Sequence, residues 1–214
     1  MPEHDWAGRW REGKIGFHEG KPNPFLERHV GVLGSKRRVL VPLCGKAEDL
    51  AFLAAQGHRV VGVEYVEQAA IAFFEEHGVK PSRAAGARFP TYSAGDVTIV
   101  VGDFYAVTRA DVGEVDAFYD RAALIAVEPE SRDRYVAAVR ALVPPGSPGL
   151  LVTFDYPPGV EGPPHSVPQP EVRRLYGKDT LEVLSEAPGF NPRVAAAVGG
   201  GTDRAYRIVL KAST

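Results

Sequence analysis

The sequence predicts an α/β fold, a largely parallel β-sheet with helices on both faces. Two observations predict it. Short apolar runs alternate along the chain with longer segments whose apolar residues recur at helical spacing. The runs are apolar throughout, as in strands buried on both faces. The 214 residues suffice for one domain with a proper core.

The elements follow in order. Residues 1–35 read as an arm or lid ahead of a core spanning 36–214. The arm holds Trp6, Trp10 and Phe17 in a polar, glycine-containing context. Phe25 to Leu33 has helical spacing, and Gly34 follows as a stop. Arg38 to Leu43 reads as the first strand, with Lys36, Arg37 and Arg38 as its solvated lead-in. Lys46 to Gln56 is a helix stopped by Gly57, Arg59 to Glu64 the second strand, and Glu67 to His77 a helix ended by Gly78. Residues 80–96 read as a connection with a short hairpin. Strands follow at Thr98 to Gly102, Val115 to Tyr119 and Gly149 to Tyr156, with an amphipathic helix from Pro129 to Leu142. Thr180 to Ser185 and Tyr206 to Lys211 close the set, giving seven strands. In such sheets ligands bind beyond the carboxyl ends of the strands, at the switch point. The residues to watch are those just after 43, 64, 102 and 119.

Composition removes several function classes. The formal net charge is -2, with 44% hydrophobic and 24% charged residues. That gives no electrostatic reason to expect nucleic acid or an anionic membrane as a partner. The N-terminus lacks the apolar stretch of a signal peptide, and no later segment is long and apolar enough to span a bilayer. With one cysteine, Cys44, no internal disulfide forms. A cytoplasmic location is expected, and a monomer. The six histidines do not fall at zinc-ligand spacing, so no metal is expected.

Chemistry-bearing residues sit at the four strand ends. Gly45, in VPLCGKAEDL, stands at the first strand-to-helix turn, where a positive φ lets a ligand approach the backbone and helix N–H groups point outward. An ordinary tight turn explains it equally well. The second strand ends in Glu64, about 20 residues on, where a carboxylate can accept from both ribose hydroxyls of a nucleotide-like cofactor. A surface acid is the alternative. Gly102 and Asp103 end the third strand, the acid placed for an adenine amino group or else a simple turn Asp. Asp120 and Arg121 end the fourth and are expected to face the same crevice, with an ordinary ion pair as the alternative. Cys44 reads as a small apolar residue rather than a nucleophile.

Taken together, several segments resemble the thiopurine S-methyltransferase family, most of all its bacterial members. They are W-x-x-x-W-x-x-G-x-x-G-F-H (Trp6 to His18), VLVPLCGKAEDL (Val39 to Leu50), VVGVE (Val60 to Glu64), GDF (Gly102 to Phe104), FYDRAAL (Phe118 to Leu124), LLVTFDY (Leu150 to Tyr156) and GPPHSVP (Gly162 to Pro168). The resemblance implies the Rossmann-like methyltransferase sheet and S-adenosylmethionine as cofactor, with S-adenosylhomocysteine as product. It also implies a small (hetero)aromatic thiol as acceptor. Cofactor contacts are implied for Trp10, Leu43, Glu64 and Arg121, with Gly102 and Asp103 beside the adenine. Phe17 and Arg121 are implied on the acceptor side. Two features depart from the pattern. His165 stands where an aromatic usually follows GPP, and the C-terminal stretch, which usually carries an Arg and a Trp before its last strand, here reads AAAVGGGTDRAYRIVL from Ala195 to Leu210. Both touch the acceptor side.

Methyl transfer from a sulfonium is an in-line displacement, for which position and desolvation supply most of the effect. An aromatic thiol is already partly thiolate near neutral pH, so no strong base is demanded. Arg121 is expected to hold the anionic or polar edge of the acceptor, and Asp120 to orient Arg121. The arm is expected to exclude water. Another small acceptor (a selenium or tellurium species, a halide, an oxygen or nitrogen nucleophile) remains an alternative, as does a non-catalytic binder of the same cofactor. A nicotinamide dehydrogenase is argued against by the missing glycines.

Overall fold

The computed structural model describes residues 6–12, 20–85, 88–160, 162–189 and 191–212. Phe17 lies outside the described residues. Among the described residues nine strands form one sheet: β1 (Arg38–Pro42), β2 (Arg59–Glu64), β3 (Ser82–Ala84), β4 (Thr91–Ala94), β5 (Val97–Val101), β6 (Ala117–Arg121), β7 (Pro148–Asp155), β8 (Thr180–Pro188) and β9 (Thr202–Val209). Their spatial order is β3-β4-β5-β2-β1-β6-β7-β9-β8. The central strands β5, β2, β1, β6 and β7 run parallel. The chain works outward from β1 to one side and then crosses to β6 on the other. The switch point therefore lies between β1 and β6.

The helices are α1 (Trp6–Arg11), α2 (Pro24–His29), α3 (Glu48–Ala55), α4 (Glu67–Glu76), α5 (Arg109–Val112), α6 (Arg132–Leu142), α7 (Gln169–Tyr176) and α8 (Pro192–Ala197). They cover both faces. On one, Phe25, Leu50, Leu53, Ala70, Phe73 and Phe74 of α2, α3 and α4 pack against Val39, Val41, Tyr119 and Val152. On the other, Tyr135, Val139, Val172 and Tyr176 of α6 and α7 pack against Leu40, Phe118, Leu151 and Tyr206. Each large apolar side chain so buried contributes about 1.5–3 kcal/mol. No helix of the described residues is long and apolar enough to cross a membrane.

The seven strands expected become nine. The hairpin expected within residues 80–96 joins the sheet as β3 and β4. All three residues of β3 are exposed, so burial left no apolar run to read. β6 also sits two residues later than expected. Asp120 and Arg121 therefore lie inside the strand, and consecutive strand residues point to opposite faces.

Candidate active site

β1 leaves the sheet through Leu43 at φ 45° and Gly45 at φ 54°. For leucine that left-handed conformation is costly and persists only where the surroundings fix it. Here the Cys44 N–H donates to the Val63 carbonyl at 3.1 Å, and the Gly45 N–H donates to Glu64 Oε2 at 2.8 Å. Glu64 Oε1 accepts from the Val66 N–H at 2.7 Å. The carboxylate at the end of β2 thus ties together the two turns flanking it. Each oxygen keeps acceptor capacity beyond these bonds, which fits the donor set of a vicinal diol. Burial raises the Glu64 carboxyl above its usual range, and the amides of Val66, Gly45 and Tyr65 work against that rise. The Gly45 amide is therefore committed to Glu64. The turn serves by shaping the carboxylate.

Gly102 joins the same edge, its N–H donating to the Glu64 carbonyl at 2.8 Å. A Cβ on Gly102 would come within 2.4 Å of the Phe89 ring, so the missing side chain makes room for Phe89. Asp103 Oδ1 accepts from the Tyr105 N–H at 3.0 Å, the turn arrangement that was the alternative reading, and its residue is only partly buried. Trp10 is partly buried on α1.

β6 departs from expectation. Asp120 is fully buried. It accepts from the Tyr135 hydroxyl at 2.7 Å and the Leu124 N–H at 3.1 Å, and the Ala123 N–H also bonds to it. Burial pushes its carboxyl up to about 6, against the pull of these donors. The expectation that Asp120 shares a crevice with Arg121 and orients it directly is corrected, because strand alternation turns Asp120 into the α6 face. Arg121 is partly exposed and lies on the Tyr119 side, where its charge acts on that phenol.

Sequence reasoning missed the network under Arg121. The Tyr119 hydroxyl donates to Asp49 Oδ2 at 2.9 Å, and Asp49 Oδ1 accepts from the Asn23 N–H at 2.7 Å. This joins the segment leading into α2 to the strand ends. The available signal was Asp49 in the first turn of a helix, which turns out to be 2% exposed.

On the β7 side, residues 162–168 dock onto the segment after Arg121. The His165 N–H donates to the Ile125 carbonyl at 2.6 Å, His165 Nε2 lies 3.3 Å from Glu128 Oε2, and Arg132 Nη2 donates to the Ser166 carbonyl at 3.0 Å. The small-residue stretch from Ala195 contributes to α8 and packs with Val194 and Val198 against Phe154 and Tyr156. A Cβ on Gly201 would lie 2.4 Å from the Phe154 ring, so its smallness serves packing there. Cys44 is buried, and burial followed by the Glu64 charge pushes its thiol well up, which disfavours a thiolate nucleophile. Among the described residues no group of three or more His, Cys, Asp or Glu could hold a metal ion.

The model of the family described as thiopurine S-methyltransferase matches residues 1–208. The chain belongs to this family. A thiopurine S-methyltransferase of Azotobacter vinelandii is 47% identical over 191 residues, covering 88% of each chain. One from Pseudomonas entomophila is 42% identical over 212 residues, covering 95% of this chain and 97% of its own. Among solved structures, a Burkholderia thailandensis 1,6-didemethyltoxoflavin-N1-methyltransferase bears the same fold. It has a TM-score of 0.65 at 19% identity, covering 96% of this chain and 86% of that one, and contains S-adenosylhomocysteine. As a family member the protein is an S-adenosylmethionine-dependent methyltransferase that acts on sulfur.

Proposed function

We propose that the protein methylates the sulfur of small (hetero)aromatic thiols, with the donor's ribose held at the end of β2 and the acceptor at the end of β6. The observation that carries this is the Glu64 carboxylate, fixed from both sides by the Gly45 and Val66 amides beside the switch point. A carboxylate so held accepts from two adjacent hydroxyls without reorganising. Leu43 and Gly102 shape the cradle, Asp103 faces the adenine, and Trp10 closes over the cofactor. When bound, S-adenosylmethionine supplies a methyl group on a sulfonium, passed in line to the acceptor sulfur and leaving S-adenosylhomocysteine.

Arg121 holds the anionic edge of the acceptor. Its guanidinium is always charged, so it favours the thiolate over the thiol and supplies orientation as well as charge. The family resemblance assigns Phe17, outside the described residues, to the acceptor side. No general base is assigned, because an aromatic thiol is already partly thiolate near neutral pH. The protein acts in the cytoplasm as a monomer on a small molecule, without nucleic acid or membrane.

The test is a panel of aryl thiols, a selenol and a halide, each incubated with protein and methyl-labelled S-adenosylmethionine. Labelled thioether from the aryl thiols is the expected result. Labelled product from the halide or selenol alone overturns the thiol acceptor, and no labelled product from any acceptor overturns the enzymatic reading.

A further inference from the structure

We propose that Asp120 and Tyr135 are positioning residues that aim Arg121 at the acceptor, an inference that rests on Arg121 being the acceptor's partner. The geometry is a clamp. Asp120 and Arg121 are the last two residues of β6, and Ala122 follows at φ 64°. For a residue with a Cβ this conformation is unfavourable and must be imposed by its surroundings. Immediately beyond, the Ala123 and Leu124 amides are gathered back onto the Asp120 carboxylate. The bonded ring so formed encloses Arg121 and Ala122. It fixes the backbone from which the guanidinium projects without touching the guanidinium.

The second carboxylate oxygen takes the Tyr135 hydroxyl from α6. The Tyr135 ring also packs on Phe104, centroids 5.5 Å apart, and Phe104 directly follows Asp103 at the end of β5. One α6 side chain therefore joins the cofactor edge of the sheet to the turn that carries Arg121. Tyr176 of α7 reaches the same buried space, close enough to feel the Asp120 charge, and among the described residues its hydroxyl has no hydrogen-bond partner. Behind Tyr176 stand Arg140 and Asp179, and Tyr105 acts on Tyr135. On the opposite face Tyr119 feels both Asp120 and Arg121.

The state of the clamp depends on charge. Ionised, Asp120 only accepts, and three donors converge on it. Protonated, it must donate one bond itself and holds the amides less strongly. Burial places that change at about 6, so aim is lost as pH falls through that value.

The test compares wild type with Tyr135→Phe and Asp120→Asn at saturating cofactor. The acceptor is a dinitro-substituted arenethiol, acidic enough to be thiolate well to both sides of the Asp120 transition at about 6, so its own ionisation is silent. The expected result is a fall of about tenfold in kcat/KM for the acceptor in both variants, with unchanged affinity for S-adenosylhomocysteine. In Asp120→Asn the rising limb of wild-type activity near pH 6 disappears. Wild-type acceptor kinetics with only a lowered melting temperature, or a limb that survives in Asp120→Asn, overturns the proposal. Should Asp120→Asn fail to fold, Tyr135→Phe, which loses one hydroxyl, decides through the same split between acceptor kinetics and cofactor affinity. Variants that match an active wild type defeat only the clamp, whereas a wild type inactive on every thiol defeats the assignment of function.

Discussion

Glu64 and Asp120 occupy equivalent places, the ends of two parallel strands on either side of the switch point. Each is a buried carboxylate that gathers backbone amides, and burial raises both carboxyls. They differ in direction. Glu64 is the last residue of β2, 7% exposed, at the sheet's rim. Asp120 is one residue short of the end of β6, 0% exposed, and points into the core. On the proposed reading the same chemical group holds a ligand in one place and clamps the backbone in the other. Strand parity decides which, and it hands the rim position on β6 to Arg121.

The largest expected effect separates the two ends most sharply. Glu64→Ala is expected to weaken S-adenosylmethionine binding by about 1–3 kcal/mol, the usual cost of losing a charged hydrogen-bond partner. Melting temperature should fall as well, since the carboxylate also braces the Gly45 and Val66 turns. Calorimetric titration together with a thermal melt checks both, and an unaltered cofactor affinity would refute the ribose role.

Next in size is Arg121→Lys. An ammonium cannot reproduce the planar fork of a guanidinium, so turnover at saturating acceptor should fall by roughly ten- to a hundredfold, about 1.4–2.8 kcal/mol of transition-state positioning. Rates measured beside melting temperatures discriminate between roles. A Lys variant with wild-type turnover would reduce Arg121 to a structural tie.

The smallest effect is a pH dependence of cofactor affinity. The Glu64 carboxyl is raised, so it takes up a proton at higher pH than an ordinary glutamate does. Once neutral, one oxygen becomes a donor and the pair can no longer accept from two hydroxyls. Affinity for S-adenosylhomocysteine should therefore decline as pH falls into the mildly acidic range. Titrations at several pH values in wild type and Glu64→Gln would show the decline only in wild type, and a matching slope in the variant would place the titrating group elsewhere.

Much of this was legible in the sequence, and the reason is burial. The five parallel strands are largely apolar because both faces are covered, and the runs from Arg38, Arg59, Thr98, Val115 and Gly149 mark them within two residues. Glu64 stood out as an acid ending such a run, at a fixed distance from Gly45. The end of β6 was not legible, because FYDRAAL offers no marker for where the strand stops, and ending it at Tyr119 put Asp120 in the turn beyond the strand instead of on its buried face. The hairpin of β3 and β4 was expected within residues 80–96, but its joining the sheet was not, because the β3 residues are exposed and form no apolar run. The packing of Phe89 against Gly102 is a contact across an intervening loop that no local pattern encodes. The Asn23–Asp49–Tyr119 chain spans three distant segments and is visible only once the sheet brings them together.

The proposed division of labour puts the cofactor at the end of β2 and the acceptor at the end of β6. Initial-rate kinetics with both substrates varied, on wild type, Glu64→Gln and Arg121→Lys, tests it most directly. Glu64→Gln should raise KM for S-adenosylmethionine while leaving KM for the aryl thiol near the wild-type value. Arg121→Lys should lower kcat or raise KM for the thiol with a smaller change toward the cofactor. Both variants impairing the same substrate to the same degree would contradict the division.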